Sequence, residues 1–345
     1  MPARSLPSQP SVAIVGATGA VGVELLGCLE QRAFPVSRLR LLASARSAGK
    51  TMTFRGQPVT VEELTPDSFA GVDLALFSAG SGLSKSHAPL AVQAGAVVVD
   101  NSSAFRMAPE VPLVVPEVNA AAMEGHGGII ANPNCVAAIA TVALAPLHRA
   151  APIRRLSLAT YQAASGAGAA AMEELRLATA AALRGEDYPP QVLPHPYAFN
   201  FFSHNAAMDP ETGYNGEETK VVAETRRILD LPDLPVGITC IRVPILRAHG
   251  MAISVAFDAP VDVEAARALL AAAPGVKLVD DRAANHFPMP SEASGQYDVL
   301  VGRLRPDWAD PSGRTLAMFV VGDQLLKGAA LNAVQIAEAL LPRQG

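Results

Sequence analysis

The chain has 345 residues, half of them apolar and 17% charged, with a formal charge of −5. That length exceeds what one hydrophobic core usually fills, so two domains are expected, and the composition excludes a disordered chain. Without a basic block, nucleic acid and anionic membrane are poor partners.

The first ten residues, MPARSLPSQP, lack the apolar run of a secretory signal and read as a mobile tail. Val12–Val15 is a strand-length apolar run that leads at once into GATGAVG. A helical pattern with Val21, Leu25, Cys28 and Leu29 on one face follows. Further apolar runs at Leu39–Leu42, Leu74–Phe77, Val97–Val99, Leu113–Val115 and Ile129–Ile130 alternate with helical or loop segments. This predicts an α/β fold with a Rossmann-type, doubly wound parallel sheet. After Asn134 the texture shifts to Ala-rich helix (Ala169–Arg184), a loop-like stretch from Tyr188 to Tyr214 and a charged helix over Gly216–Leu229. Alternating runs at Gly237–Pro244 and Ala252–Phe257 predict a more antiparallel sheet in a second α+β domain. Leu325–Leu341 reads as an amphipathic helix. The longest apolar stretch, Val136–Leu147, is too short to span a bilayer and contains Pro146.

Gly16, Gly19 and Gly22 lie between a strand and a helix, where glycine lets the backbone approach a pyrophosphate held at the helix N-terminus. Together with Ala17, Thr18, Ala20 and Val21 they form the expected dinucleotide turn. GxxGxxG is less common than GxGxxG, and a tight turn without a ligand is the plainer alternative. No acid stands between Gln31 and Lys50 to hold a ribose hydroxyl. Instead Arg46, with Ser44 and Ser47, stands where a 2′-phosphate would lie, which favours NADP over NAD, with a solvated loop arginine as the plainer alternative.

Three widely spaced cysteines, Cys28, Cys135 and Cys240, build neither a disulfide framework nor a CxxC or CxxH metal site. Asn132–Pro133–Asn134 is turn chemistry, so a helix is expected to start near Cys135, where the dipole favours a thiolate and backbone N–H groups can hold an oxyanion. A buried structural cysteine is the competing reading, and it suits Cys28 and Cys240 well.

The motifs GATGAVG, LASARSAGK, DNSSAFRM, VPEVN, NPNC, YQAASGAG, GEETKVVAETRRIL, IRVPILRAH and KGAALNAVQIAE occur in this order. The chain from about Val12 to Leu341 thereby resembles bacterial-type aspartate-semialdehyde dehydrogenases. The resemblance implies an NADP-binding Rossmann domain over residues 11–133 and a catalytic and dimerisation domain over 134–324. It also implies a C-terminal helix, 325–345, that returns to the first domain. By the same resemblance Cys135 is the nucleophile, Gln162 positions substrate and His249 is the general acid–base. Arg242 anchors the substrate carboxylate, Glu217 meets its ammonium, Lys220 and Arg106 bind phosphate, and Asn134 completes the substrate set. Ser78, Gly80, Ser165, Gly166 and Gln324 join the cofactor site.

Those roles suit L-aspartyl 4-phosphate, reduced to the semialdehyde through a cysteine thioester. An imidazole near its ordinary pKa would shuttle the protons. The enzyme would be cytoplasmic, on the aspartate route to lysine, threonine and methionine, and a homodimer or dimer of dimers. Departures from the family pattern are Val136 and Ala137 where Ser-Thr is common, the sequence RAHG around the histidine, and Gln324 where Asn is common. Two rivals stay open: an N-acetyl-γ-glutamyl-phosphate reductase, whose substrate has no ammonium for Glu217, and a silent paralogue acting as a binding protein.

Overall fold

The computed structural model describes residues 5–342, which divide after Asn134 and again after Gly328 into two units. The first holds the described residues up to Asn134 together with those from Ala329 onward; the second holds Cys135–Gly328.

In the first unit, strands β1 (Ser11–Val15), β2 (Arg38–Ala43), β3 (Thr51–Phe54), β4 (Gln57–Glu63), β5 (Leu74–Phe77), β6 (Val97–Asp100) and β7 (Ile129–Ala131) form one sheet in the order β3-β4-β2-β1-β5-β6-β7. All pairings are parallel except β3 with β4. The central strands are buried over their whole length, which is why they read as unbroken apolar runs. Helices α1 (Ala20–Gln31) and α2 (Ser81–Gln93) follow β1 and β5, and a short helix α3 (Pro116–Asn119) lies near the end of the unit's first stretch. Strand order reverses at β1, so Gly16 after β1 and Ser78 after β5 flank the crevice where doubly wound sheets bind ligands.

Two sequence expectations change here, and one hairpin is new. Leu113–Val115 is buried but is not a strand, because only Leu113 bridges to Ala131. The β3–β4 hairpin was not foreseen, since its exposed edge carries no apolar run. The first ten residues are not simply a loose tail: residues 1–4 lie outside the described residues, but Leu6 is buried and its N–H donates to the Leu340 carbonyl at 3.1 Å.

In the second unit, α4 (Cys135–Ala150) leads into β8 (Ile153–Gln162), α5 (Ala169–Leu183), the two-residue strand β9 (Phe202–Ser203), α6 (Gly216–Ile228), β10 (Val236–Arg242) and β11 (His249–Phe257). Then come α7 (Val263–Ala271), β12 (Val276–Leu278), the short helix α8 (Pro290–Ala293), β13 (Val299–Pro306) and β14 (Thr315–Gly322). The sheet runs β12-β13-β14-β11-β8-β10-β9. It is mixed: β11 pairs antiparallel with β8 and β14, while β10 pairs parallel with β8. Alternation puts Leu156, Leu158, Thr160, Gln162, Ile238, Cys240, Arg242, His249, Met251 and Ile253 on a buried face. Helices α4, α6 and α7 pack on this unit's strands. On the opposite face Ser157, Tyr161 and Thr239 are exposed.

The C-terminal helical expectation also changes. Leu326–Ala330 is a π-helical turn, and α9 spans only Leu331–Ala339, back in the first unit. Residues 343–345 lie outside the described residues.

Candidate active site

The glycine turn of the first unit has a physical reason at each end. Gly16 adopts φ +82, and a Cβ there would lie 2.7 Å from the Ser78 carbonyl oxygen. A Cβ on Gly22 would lie 2.2 Å from the Gly16 carbonyl oxygen, so α1 meets the turn backbone to backbone. Gly19 caps α1 and Gly80 caps α2, neither with a side-chain hydrogen bond. Ala17 is wholly buried, and Ala20, Val21 and Gly22 open α1. Two glycine-capped helix starts beside the strand-order reversal suit a pyrophosphate. Thr18 Oγ1 lies 3.3 Å from Ser47 Oγ, which ties the glycine turn to the segment after β2. There Ser44 and Arg46 are exposed and Ser47 is buried.

The turn before the thiol is built from scattered Asn residues. Asn132 is fully buried; its Nδ2 donates to Asn101 Oδ1 at 2.9 Å and to the Ala329 carbonyl at 3.3 Å. Asn332 donates to Asn132 Oδ1 at 2.6 Å and to the Val114 carbonyl at 2.9 Å. Arg106 donates to the carbonyls of Asn132 and Asn101 at 2.9 and 2.7 Å, so it leans on the same turn. Asn134 is buried and ends the first unit. Asn332 was not singled out in the sequence; its motif was, but nothing in a helical pattern marks one Asn as a strut.

Cys135 is the first residue of α4 and is partly exposed. A Cβ on Gly328 would come within 2.6 Å of Cys135 Cβ, so that glycine is needed for the close approach. Cys28 and Cys240 are buried, and burial pushes the Cys240 thiol up to about 12. Both therefore behave as packing residues.

Gln162, Arg242 and His249 meet at one end of the second sheet. Gln162 and Arg242 are register partners on β8 and β10, and antiparallel pairing of Gly250 with Tyr161 brings His249 to the same end. All three are essentially unexposed. Thr160 Oγ1 donates to Gln162 Oε1 at 3.0 Å, and Gln162 Nε2 donates to Glu217 Oε1 at 3.1 Å.

Glu217 and Glu218 open α6 but have different work. Asn215 caps the helix through both their N–H groups, and Glu218 returns the bond to Asn215 N–H at 2.8 Å. The other Glu218 oxygen accepts from Cys240 N–H at 2.9 Å, which clips α6 to β10. Both acids are buried. Lys220, in contrast, is exposed.

Arg242 Nη1 donates to the Ala163 carbonyl at 2.7 Å. Its Nη2 donates to His204 Nε2 at 2.8 Å and to Asn205 Oδ1 at 3.0 Å. Its Nε is buried with no hydrogen-bond partner among the described residues. Burial lowers the guanidinium pKa, while Tyr197, Cys135, Glu217 and Cys240 act in the opposite direction, so these groups share one electrostatic neighbourhood. His204 and Asn205 were missed in the sequence because the 188–214 stretch carries no periodicity.

His249 opens β11 and is wholly buried. Its Nδ1 accepts from Ala163 N–H at 3.0 Å, so the neutral ring carries its proton on Nε2. Burial first, then the charges of Arg242 and His204, hold its pKa well below the ordinary 6.5. This corrects the expectation of an imidazole near its usual value: the ring is a neutral Nε2–H donor. That Nε2 has no partner among the described residues. A Cβ on Gly166 would sit 3.0 Å from His249 Nε2 and 3.3 Å from Arg242 Nη1, so the absence of a side chain keeps space open beside both.

Ala164–Ala167 is a 3-10 turn ahead of α5. Gln324 is buried; its Oε1 accepts from Ala248 N–H at 2.9 Å, and its Nε2 donates to Ser165 Oγ. The extra methylene relative to Asn is thus used to brace the residue before His249. The structure places Cys135, Gln162, Ser165, Gly166, Glu217, Lys220, Arg242, His249 and Gln324 in the second unit, and Arg106, Asn134 and the glycine turn in the first. No helix among the described residues is long and apolar enough to cross a membrane, and no group of three or more potential metal ligands occurs among them.

Comparison with known proteins agrees with this division. The family profile "Semialdehyde dehydrogenase, NAD binding domain" matches residues 11–126, and "Semialdehyde dehydrogenase, dimerisation domain" matches residues 144–327. An aspartate-semialdehyde dehydrogenase from Synechocystis sp. is 53% identical over 98% of this chain and 99% of its own. Aspartate semialdehyde dehydrogenase II from Vibrio cholerae, solved in complex with ASA, superposes with a TM-score of 0.93 at 43% identity, covering 96% of this chain and 98% of that one. Aspartate semialdehyde dehydrogenase from Candida albicans, solved with NADP, gives a TM-score of 0.74 at 25% identity, covering 96% and 98%.

Proposed function

The chain belongs to the aspartate-semialdehyde dehydrogenase family, and from that premise we propose that it reduces L-aspartyl 4-phosphate to L-aspartate 4-semialdehyde and phosphate through a thioester on Cys135. One observation carries the reading. The thiol at the start of α4 shares a neighbourhood with an acid, Glu217, and a buried guanidinium, Arg242, whose Nε has no partner among the described residues. An amino-acid substrate brings an ammonium and a carboxylate, which those two groups match. The acetylated rival substrate has no ammonium for Glu217 to meet.

In this reading the dipole and first-turn N–H groups of α4 favour the Cys135 thiolate. The thiolate attacks the acyl carbon, the bond from carbon to phosphate oxygen breaks, and phosphate leaves with the electron pair. A bound reduced nicotinamide supplies the hydride that converts a thioester to an aldehyde. The second tetrahedral species then collapses, the C–S bond breaks and Cys135 returns as thiolate. His249 Nε2–H faces the developing charge as a neutral donor, and its Nδ1 is held by Ala163 N–H, so the ring cannot easily accept a second proton. Gln162 orients Glu217 toward the ammonium.

NADP is the cofactor we assign, on the strength of exposed Arg46 and Ser44 after β2 and of the missing acid there. Arg106 and Lys220 are the phosphate-binding cations in this reading. Residues 11–133 serve the dinucleotide and 134–324 serve catalysis and dimerisation. The face carrying Ser157, Tyr161 and Thr239, with fully protruding Trp308 at the β13–β14 turn (97% exposed), is the dimer surface. Light scattering that found only a 35.8 kDa monomer at micromolar concentration would contradict it.

The experiment is a spectrophotometric assay with aspartate semialdehyde, NADP and phosphate. Phosphate-dependent NADPH formation is expected. Turnover with N-acetylglutamate semialdehyde in its place would favour the reductase reading, and no turnover with either would favour a binding protein.

A further inference from the structure

Arg242 has five N–H groups, and a carboxylate can be gripped by two of them at once only along two edges: Nε with Nη2, or Nη1 with Nη2. Both edges need a hydrogen on Nη2. Here Nη2 has two acceptors, His204 Nε2 at 2.8 Å and Asn205 Oδ1 at 3.0 Å, which occupy both its hydrogens. Beside them the Nε–H is buried and has no partner among the described residues. One half of the Nε–Nη2 fork is thus open and the other half is taken by the protein itself.

His204 is the acceptor that yields. Its Nε2 faces the Arg242 donor, and its Nδ1 faces the Ala206 N–H at 3.1 Å. A neutral imidazole has one lone pair in its plane and one N–H. It can satisfy only one of these two donors, and protonation would satisfy neither. Asn205 Oδ1 suffers no such conflict. A carboxylate is also a stronger acceptor for a guanidinium than a neutral ring nitrogen. The segment that carries the ring has few backbone ties, one of them the Gly216 N–H donating to the Ala207 carbonyl at 2.8 Å. Its strand, β9, has two residues at the sheet edge, and His204 N–H donates to the Cys240 carbonyl at 2.9 Å. The residues that follow, from Ala207 to Tyr214, are exposed. Short, exposed edge structure opens at low free-energy cost.

We propose that His204 is a displaceable clasp on Arg242: an amino-acid carboxylate takes the Nε–Nη2 fork, expels the imidazole and releases the 203–207 segment. This rests on Arg242 being the carboxylate anchor. Displacing the clasp costs part of the binding energy of any ligand that has a carboxylate, and costs nothing to one that lacks it. His204 is therefore a residue that sets affinity for the amino-acid end of the substrate, without touching the reacting atoms.

Steady-state kinetics of His204→Phe, His204→Gln and the parent enzyme test this, with aspartate semialdehyde and with 3-aminopropanal, its analogue without the carboxylate. Phe keeps a ring and removes the acceptor, so KM for aspartate semialdehyde should fall about three- to tenfold, the worth of one modest hydrogen bond, with a smaller change in kcat. Gln restores an acceptor and should return KM toward the parent value. KM for 3-aminopropanal should not move with either substitution. Hydrogen exchange of residues 203–207 in the parent enzyme should speed up when aspartate semialdehyde is added without cofactor. Unchanged or raised KM in a folded His204→Phe enzyme, or slower exchange at 203–207 with ligand, overturns the clasp. A parent enzyme that does not turn over aspartate semialdehyde overturns the substrate reading and the clasp with it. Normal turnover with no KM split overturns the clasp alone. Should His204→Phe not fold, the exchange experiment on the parent protein decides.

Discussion

Gln162 Nε2 donates to Glu217 Oε1 at 3.1 Å, which locks an amide at the end of β8 onto an acid at the start of α6. With Thr160 holding the other end of the amide, the Glu217 carboxylate is aimed rather than floating. Glu217→Gln keeps the shape and removes the charge. kcat/KM for aspartate semialdehyde should fall by about 2–5 kcal/mol, the range for leaving one side of a buried charge pair unmatched, chiefly through KM. An unchanged kcat/KM would remove Glu217 from the site.

Gly166 is the second position where shape decides. A methyl there would meet His249 Nε2 and Arg242 Nη1 at 3.0 and 3.3 Å. Gly166→Ala should lower kcat/KM by at least tenfold, because it fills the space beside both donors. The fold should lose about 1–3 kcal/mol at most, the usual cost of overpacking. Denaturant titration beside kinetics separates the two. A fully active Gly166→Ala enzyme would contradict the geometry proposed for His249.

Two histidines whose pKa is lowered in the fold make acid destabilising. Burial lowers both His204, to about 4, and His249, well below 6.5. Between each lowered pKa and the ordinary 6.5 the unfolded chain binds a proton that the folded one refuses. Stability therefore rises with pH through that window and falls on acidification, with a slope of about 1.4 kcal/mol per pH unit per histidine. The urea midpoint should drop between pH 7 and pH 5. His204→Phe should make that drop shallower. A midpoint independent of pH over this interval would show that neither ring is held neutral.

Arg46 is exposed on the segment after β2, near Ser47, which contacts Thr18 of the glycine turn. Arg46→Ala should weaken NADP by about 1.5–3 kcal/mol, the value of a hydrogen bond to a charged group, and leave NAD nearly unaffected. Steady-state kinetics with both cofactors measures this. Equal losses for both would assign Arg46 no part in the preference.

Much of this was open to reading from residues alone, for identifiable reasons. Central strands of the first unit are buried on both sides, so β1, β5 and β6 stood out as apolar runs. GATGAVG and NPNC are local signals, and each leads into the helix expected of it; the arginine of IRVPILRAH ends β10 as expected, whereas its histidine already opens β11, ahead of the strand expected from Ala252. The edge hairpin β3–β4 carried no such signal, and Leu113–Val115 is apolar because it is buried, not because it is paired. The division of labour between Glu217 and Glu218 was invisible, since adjacent acids at a helix start differ only in which neighbour each reaches. His204 and Asn332 depend on contacts 38 and 200 residues away, which no periodicity records. The neutrality of His249 comes from burial and from Arg242, which no local pattern records.

The central claim is the covalent role of Cys135, and mass spectrometry of the intact enzyme tests it most directly. Incubation with aspartate semialdehyde and NADP, without phosphate to release the acyl group, should yield one aspartyl adduct that maps by peptide analysis to Cys135. Cys28→Ala and Cys240→Ala should still form it, because those thiols are buried packing residues. An adduct on any other residue, or full turnover in Cys135→Ala, would contradict the account.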